Sequence, residues 1–239
     1  MFGTSGSVHL SRLCSILNRV WGFGKDSTER GRGVMPLGVK HLYRKIRFGE
    51  PIVVVSGLPR SGTSMTMKML SEGGLELVTD GIRTADDSNP EGYYELEEVK
   101  ELGKTTDLSW LHDARGKAIK VISYLLRFMP QTLNYRVIFM HRDLHEVIAS
   151  QNKMLEQRGE SNETPDDRLL TLFEQEVKKS KNLIAARSCF DAIDVNHEDV
   201  LADPLQQATR INQFLGGRLD IERMAAAVDQ RLYRNRRTS

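Results

Sequence analysis

The sequence predicts a three-layer α/β protein in which helices flank a central parallel sheet. A β-branched run over Ile52–Ser56 closes at Gly57, a second apolar run covers Tyr135–Met140, and a helical pattern follows each of them. Apolar runs without alternation are typical of strands buried on both faces of a parallel sheet. Strands that alternate with helices complete the α/β pattern.

Composition places the chain among ordinary globular proteins. It has 239 residues, 39% apolar and 28% charged, which is enough for one sizeable domain. The net charge of +2 gives no electrostatic footprint for wholesale nucleic-acid binding. Two cysteines, Cys14 and Cys189, are too few for a disulfide framework, so we expect inert thiols and a cytoplasmic location. No run approaches the ~20 apolar residues of a membrane span.

The domain organisation follows from a polar, glycine-rich stretch over 26–34, which is typical of a linker. We therefore predict an N-terminal extension over 1–48 and one domain over 49–239. The first 25 residues carry basic residues and no acidic residue before Asp26, so an amphipathic targeting segment and an upstream start codon stay open as alternatives.

The remaining elements alternate along the chain. We expect, in order, a strand over 75–79, a surface loop over 80–92, a strand over 117–122, a helical turn over 125–130, a helix capped by Asp143, a helix from Pro165 to about Ser188, a strand over 192–196 and a helix starting at Asp203-Pro204. In the helix from Pro165, the predicted apolar face includes Leu169, Leu172 and Val177.

The loop Gly57–Ser64 joins the first strand to a helix, and such a glycine loop is a ready anion site. Its backbone N–H groups point inward, and the helix N-terminus adds positive potential. A nucleoside-triphosphate loop reads G-x-x-x-x-G-K-[ST]. Gly57 and Gly62 have this spacing, but Thr63 stands where the lysine belongs, and the basic residue is Arg60, inside the loop.

These motifs resemble a known family. Pro59–Ser64 is similar to the 5′-phosphosulfate loop of sulfotransferases that use 3′-phosphoadenosine 5′-phosphosulfate (PAPS), with its Pro, Arg or Lys, then Ser-Gly-Thr-Ser core. In that family a strand ends in Arg-Asp or Arg-Asn, a serine follows eight residues after the arginine, and the two side chains bind the 3′-phosphate of the cofactor; Arg142 and Ser150 have this spacing. Lys120 resembles the family lysine beside the sulfuryl group. The resemblance covers roughly residues 51–215 and is to the bacterial sulfotransferase-like branch.

The resemblance implies a P-loop-type fold related to the nucleotide kinases, PAPS as co-substrate, and no metal. It implies catalysis by Arg60, Lys120 and Glu95. It implies cofactor contacts from Arg60, Ser61, Gly62, Thr63, Ser64, Arg142 and Ser150.

The general base that would take the acceptor's proton stays open. In the small-molecule branch of the family a histidine lies two residues after the lysine, where this chain has Ile122. The segment 89–95 resembles one in bacterial sulfotransferase-like proteins and offers Glu95 first and Glu91 second, with His112 as a weaker candidate. Solvated carboxylates without a catalytic role are an equal alternative for both glutamates.

The acceptor is a small molecule, a carbohydrate or a peptide tyrosine, carrying a hydroxyl or an amine. We expect the loops over 80–115 and 155–165 to form its pocket. Tyr93 and Tyr94 either line this pocket or pack against the protein.

Two other functions compete with sulfuryl transfer. A P-loop small-molecule kinase would need a lysine where Thr63 stands, and Asp143 is its only candidate metal carboxylate. A non-catalytic nucleotide-binding module would explain the missing histidine at Ile122. His197-Glu198-Asp199 resembles a metal cluster, but adjacent residues at a strand end point apart, so a strand-to-helix turn is the better interpretation. The basic residues over 231–237 are interpreted as a solvated tail.

Overall fold

The computed structural model describes residues 37–80, 94–160, 162 and 164–228. Within this part the strands are β1 (Ile52–Gly57), β2 (Ala118–Lys120), β3 (Tyr135–His141) and β4 (Phe190–Asn196). The helices are α1 (Leu37–Phe48), α2 (Thr63–Glu72), α3 (Glu97–Lys100), α4 (Trp110–Asp113), a 3₁₀ helix (Ser123–Phe128), α5 (Leu144–Gln157), α6 (Asp166–Ala186), α7 (His197–Ala202), α8 (Pro204–Leu215) and α9 (Ile221–Ala226).

The strands form one parallel sheet in the order β2-β1-β3-β4. Every residue of β1 is buried, which fits its central position and its β-branched sequence. The register pairs Val55 with Lys120 and Gly57 with Met140, so the carboxyl ends of β1, β2 and β3 meet at one edge. That edge carries the loop after β1.

Two apolar layers cover the sheet, one on each face. On one face α3, α4, the 3₁₀ helix and α6 enclose a cluster that includes Val54, Leu111 and Phe139. On the other face α2, α8 and α9 enclose a cluster that includes Val55 and Ile138. The alternation of Val54 and Val55 between the two clusters follows from the two-residue period of a strand. The predicted three-layer α/β class is confirmed.

The predicted strand over 75–79 is reduced to a single bridge. Leu77 pairs with Ala118 in parallel, and Ala118 exchanges backbone hydrogen bonds of 2.8 and 2.9 Å with Glu76 and Val78. The chain therefore touches the edge of β2 without extending the sheet by a full strand.

Both aspartate caps predicted from the sequence are present. The Asp143 carboxylate accepts hydrogen bonds from the backbone N–H groups of His145 and Glu146, at 2.9 and 3.1 Å. The Asp203 carboxylate accepts one from the N–H of Gln206 at 2.9 Å. Such caps satisfy donors that the first turn of a helix leaves without partners.

Helix α1 is tied to the amino end of the sheet by one buried arginine. Arg44 is 6% exposed and donates to Asn134 Oδ1 at 2.9 Å and to the carbonyls of Tyr135 and Phe190 at 3.3 and 3.0 Å. It also donates to the carbonyl of Cys189. The boundary predicted at residues 48 and 49 falls at the end of this helix, which packs onto the domain that follows.

Several predictions fall outside the described residues. They concern the targeting segment and linker before residue 37, most of the loop over 80–92 including Glu91 and Tyr93, and the basic tail over 231–237. Within the part that the structure describes, no helix combines the length and the apolar character that a membrane span requires.

Candidate functional site

The loop between β1 and α2 adopts left-handed backbone conformations at three positions. The φ angles of Gly57, Arg60 and Gly62 are 144°, 68° and 98°. A Cβ on Gly57 would lie 2.6 Å from the Met140 carbonyl oxygen, and one on Gly62 would lie 2.6 Å from His197 Cδ2. Both glycines are therefore required by space as well as by φ. Left-handed residues within a turn direct successive N–H groups inward, the geometry of an anion-binding nest.

Ser61 closes this loop on itself. Its N–H and its hydroxyl both donate to the carbonyl of Leu58, at 3.2 and 2.7 Å, and its side chain is buried. Thr63 opens α2 and is 6% exposed. The Thr66 hydroxyl donates to the Gly62 carbonyl at 3.2 Å. The loop is thus held in shape before any ligand arrives.

The structure brings the second predicted motif against this loop. Arg60 Nε donates to Ser150 Oγ at 3.0 Å, and Arg142 Nη1 donates to the Arg60 carbonyl at 3.1 Å. Arg142 Nε also binds Glu146 Oε2 at 3.1 Å, and these two side chains are about one tenth exposed. The result is a set of cations and hydroxyls around one end of the loop, contributed by the loop after β1, the residue after β3 and helix α5.

Lys120 and Glu95 also come together, although 24 residues separate them in the sequence. Lys120 Nζ lies 3.6 Å from Glu95 Oε1, and its side chain is 9% exposed. On the other side, Lys100 Nζ lies 3.7 Å from Glu95 Oε2. Since Lys120 pairs in register with Val55, two residues before Gly57, the Lys120–Glu95 pair lies at the same edge of the sheet as the loop.

His197 lies against Gly62, a position that the sequence analysis, which assigned His197 to a strand-to-helix turn, did not predict. It begins α7 directly after β4, as the predicted strand-to-helix turn requires, and it is 8% exposed. Burial first, and the positive charge of Arg142 second, lower the pKa of His197 from 6.5 to about 4. The only sequence signal for this was that His197 directly follows a predicted strand. In the sheet, β4 lies beside β3, so the residue after β4 lies near the residue after β3.

Other candidates from the sequence lie elsewhere. His112 is exposed on α4, whose Leu111 packs into the face of the sheet opposite to α2. Tyr94 is partly buried and packs into the cluster beneath α2. Glu198 and Asp199 lie in the first turn of α7. Among the described residues, His, Cys, Asp and Glu side chains form no group of three that could hold a metal ion.

Comparison with known proteins confirms the family resemblance. Residues 105–220, just under half of the chain, match the sulfotransferase family. This range includes Lys120, Arg142, Ser150 and His197, whereas the loop over 57–64 precedes it.

Two solved structures are similar to the chain. One is the sulfotransferase domain from the curacin biosynthetic pathway, with 17% identity and a TM-score of 0.46 over 77% of this chain and 89% of that one. The other is the sulfotransferase STF1 from Mycobacterium tuberculosis H37Rv, with 16% identity and a TM-score of 0.47 over 91% of each chain. No curated protein matches the chain.

Proposed function

We propose that this protein transfers a sulfuryl group from PAPS to a hydroxyl or amine acceptor. One observation carries the proposal: the two motifs expected to bind the two phosphates of PAPS are hydrogen-bonded to each other, through Arg60 with Ser150 and Arg142 with the Arg60 carbonyl. A loop that binds a single phosphate would be enough to explain Arg60. The second cation and hydroxyl beside it, Arg142 and Ser150, favour a ligand that carries a further phosphate.

The loop fits the 5′-phosphosulfate end of such a ligand. Gly57 and Gly62 supply the positive-φ turns of the loop, which allow its backbone N–H groups to face an anion. Arg60 and the hydroxyls of Thr63 and Ser64 add donors at the mouth of the loop. The Ser61 hydroxyl has a different task, since it holds the loop closed through Leu58.

Arg142 and Ser150 suit the 3′-phosphate. The planar guanidinium can offer two parallel N–H donors to a phosphate, which a lysine ammonium cannot do in a fixed direction. Glu146 binds Nε of Arg142 and therefore fixes the direction in which its remaining N–H donors point.

Transfer would be an in-line displacement at sulfur. The acceptor oxygen or nitrogen forms a bond to sulfur while the bond from sulfur to the 5′-phosphate oxygen breaks, and adenosine 3′,5′-bisphosphate leaves. Negative charge grows on the leaving oxygen, where Arg60, Lys120 and the loop N–H groups can stabilise it. The Glu95 carboxylate, within ion-pair distance of Lys120, is the group that takes the acceptor's proton.

The P-loop kinase alternative loses its main support. The Asp143 carboxylate, which that alternative needs as a metal ligand, accepts two backbone hydrogen bonds as the cap of α5. Thr63, in place of the phosphate-binding lysine, is largely buried at the start of α2. The acceptor, expected to be a small molecule or carbohydrate, and the cytoplasmic location stay predictions from the sequence.

The test is calorimetric titration with adenosine 3′,5′-bisphosphate, with ATP and magnesium in parallel. We expect micromolar binding of the bisphosphate and a loss of about 10- to 100-fold in affinity for Arg142→Ala, since hydrogen bonds to charged groups contribute about 1.5–3 kcal/mol each. The control is Arg158→Ala, an exposed arginine just after α5 that should leave affinity unchanged.

Activity is then measured with radiolabelled PAPS and three probe acceptors: a phenol, N-acetylglucosamine and a tyrosyl peptide. ATP–magnesium binding without preference for the 3′-phosphate would overturn the proposal in favour of a kinase. Bisphosphate binding with no transfer to any probe, and no effect of Glu95→Gln on slow release of sulfate to water, would favour a non-catalytic binding module.

A further inference from the structure

The residue before Glu95 has an unusual backbone conformation. In the described chain, Tyr94 and Arg60 are the non-glycine residues with positive φ, at 47° and 68°. The left-handed region costs an ordinary L residue about 1–2 kcal/mol, and such strain persists only where the surroundings enforce it. Arg60 belongs to the phosphate loop. The positive φ of Tyr94 therefore needs a separate explanation.

The surroundings of Tyr94 are able to enforce the strain. Its side chain is partly buried and packs against the apolar cluster beneath α2. The chain on its far side is held by Asp80, whose N–H donates to the Glu95 carbonyl at 3.2 Å and whose carboxylate accepts from the Glu97 N–H at 2.6 Å. The ring anchors one side of the peptide, and Asp80 anchors the other.

The consequence of this conformation is the direction of the next side chain. The Glu95 carboxylate lies between two ammonium groups, 3.6 Å from Lys120 Nζ and 3.7 Å from Lys100 Nζ. A change of φ at Tyr94 from positive to negative would rotate the peptide that follows and redirect the Glu95 side chain relative to Lys120 and Lys100.

We propose that Tyr94 is a positioning residue for sulfuryl transfer: its partly buried, packed side chain enforces a left-handed backbone that directs the Glu95 carboxylate toward Lys120. This inference rests on the proposed function for its effect on catalysis. It assigns Tyr94 no contact with the acceptor, PAPS or the reacting atoms. The packing of its side chain agrees with the second of the two sequence-based interpretations of Tyr94.

Three substitutions separate the ring from the backbone. Tyr94→Phe keeps the packed ring, so kcat should stay within about twofold of the native value. Loss of a contact made in the transition state would lower kcat by more than this. Tyr94→Ala removes the ring, so the backbone should relax to negative φ and Glu95 should leave Lys120. Tyr94→Gly also loses the ring but can adopt positive φ freely, so it should retain more activity than Tyr94→Ala.

The decisive measurement is a double-mutant cycle between Tyr94→Ala and Glu95→Gln, with kcat measured on the probe acceptor that the native protein uses. General-base catalysis contributes about 10²- to 10⁴-fold, so we expect Tyr94→Ala to lower kcat by at least about tenfold. If Tyr94 acts through Glu95, the double variant should be no slower than Glu95→Gln alone. Calorimetric affinity for adenosine 3′,5′-bisphosphate should be unchanged in every variant, because the loop and Arg142 are untouched.

Crystal structures of Tyr94→Phe and Tyr94→Ala give a readout that does not depend on activity. The Lys120–Glu95 contact should be present in the first and lost in the second. The proposal is overturned if the contact survives in Tyr94→Ala. It is also overturned if the effects of the two substitutions on kcat multiply, so that their free energies add. Failure of the native protein to bind the bisphosphate would instead refute the proposed function, and the two crystal structures would still decide whether Tyr94 positions Glu95.

Discussion

Replacing His197 by asparagine should change how the free energy of unfolding depends on pH. The buried imidazole has its pKa lowered from 6.5 to about 4, by burial first and by the charge of Arg142 second. Above pH 6.5 the imidazole is neutral in both the folded and the unfolded chain, so it adds no pH dependence. Between pH 6.5 and about 4 the unfolded chain binds a proton that the folded chain does not, so acid favours unfolding.

The magnitude follows from the two pKa values. One pKa unit corresponds to 1.36 kcal/mol, so His197 should cost the native protein about 1.4 kcal/mol per pH unit below 6.5, and about 3 kcal/mol in all by pH 4. Carboxylates titrate in the same range, but they are present in both proteins. The difference between His197→Asn and the native protein therefore isolates the histidine.

The assay is urea unfolding followed by circular dichroism at pH 7.5, 6.5, 5.5 and 4.5. We expect a constant offset between the two proteins at the two higher pH values, and a difference below them that shifts in favour of His197→Asn as pH falls. His145→Asn, which removes an exposed histidine from α5, is the matched control, and His197→Gln is measured if the asparagine variant does not fold. Parallel pH profiles for His197→Asn and the native protein would refute the reasoning, because they would mean that the folded protein accepts the proton.

Two further predictions concern the loop and α1. Gly62→Ala should lower the free energy of unfolding by about 2–3 kcal/mol and weaken bisphosphate binding, because its Cβ would meet His197. The control is Gly74→Ala, which has a similar φ of 92° and no atom within 4 Å of the new Cβ, and which should lower the free energy of unfolding by about 1 kcal/mol. Equal losses in the two variants would contradict the role assigned to the His197 contact. Arg44→Ala should lower the free energy of unfolding, measured in urea, by about 3 kcal/mol or more, because it removes a buried guanidinium that donates to Asn134 Oδ1 and to the carbonyls of Tyr135 and Phe190. The exposed Arg47→Ala should lower it by less than about 1 kcal/mol. Similar values for the two variants would mean that α1 is not anchored through Arg44.

Much of the fold was predictable because its signals are local. β1, its glycine loop and α2 are contiguous, and each element is specified by residues within a few positions of it. The caps at Asp143 and Asp203 are also local, because a capping carboxylate binds N–H groups two or three residues ahead. Predictions of this kind were confirmed with boundaries shifted by a residue or two.

Predictions that depended on which distant part of the chain covers a residue were less accurate. The helical period placed Leu172 on the apolar face of α6, but Leu172 is 47% exposed. Leu169, on the same predicted face, is buried, and farther along α6 Ser180 donates to the Ser123 carbonyl and Val177 lies against the core. Periodicity gives the direction of a side chain on a helix, whereas the partner that covers it belongs to another part of the chain.

The sequence by itself determined the α/β class, the anion-binding loop over 57–64 and the spacing of Arg142 and Ser150, because turn chemistry, strand burial and helix period are written within short stretches. Only the tertiary structure decided that Arg60 meets Ser150, that Glu95 lies between Lys120 and Lys100, and that His197 underlies Gly62. The physical reason is the parallel sheet. It brings the carboxyl ends of strands that are far apart in sequence to one edge, and the order of those strands depends on the packing of the whole chain.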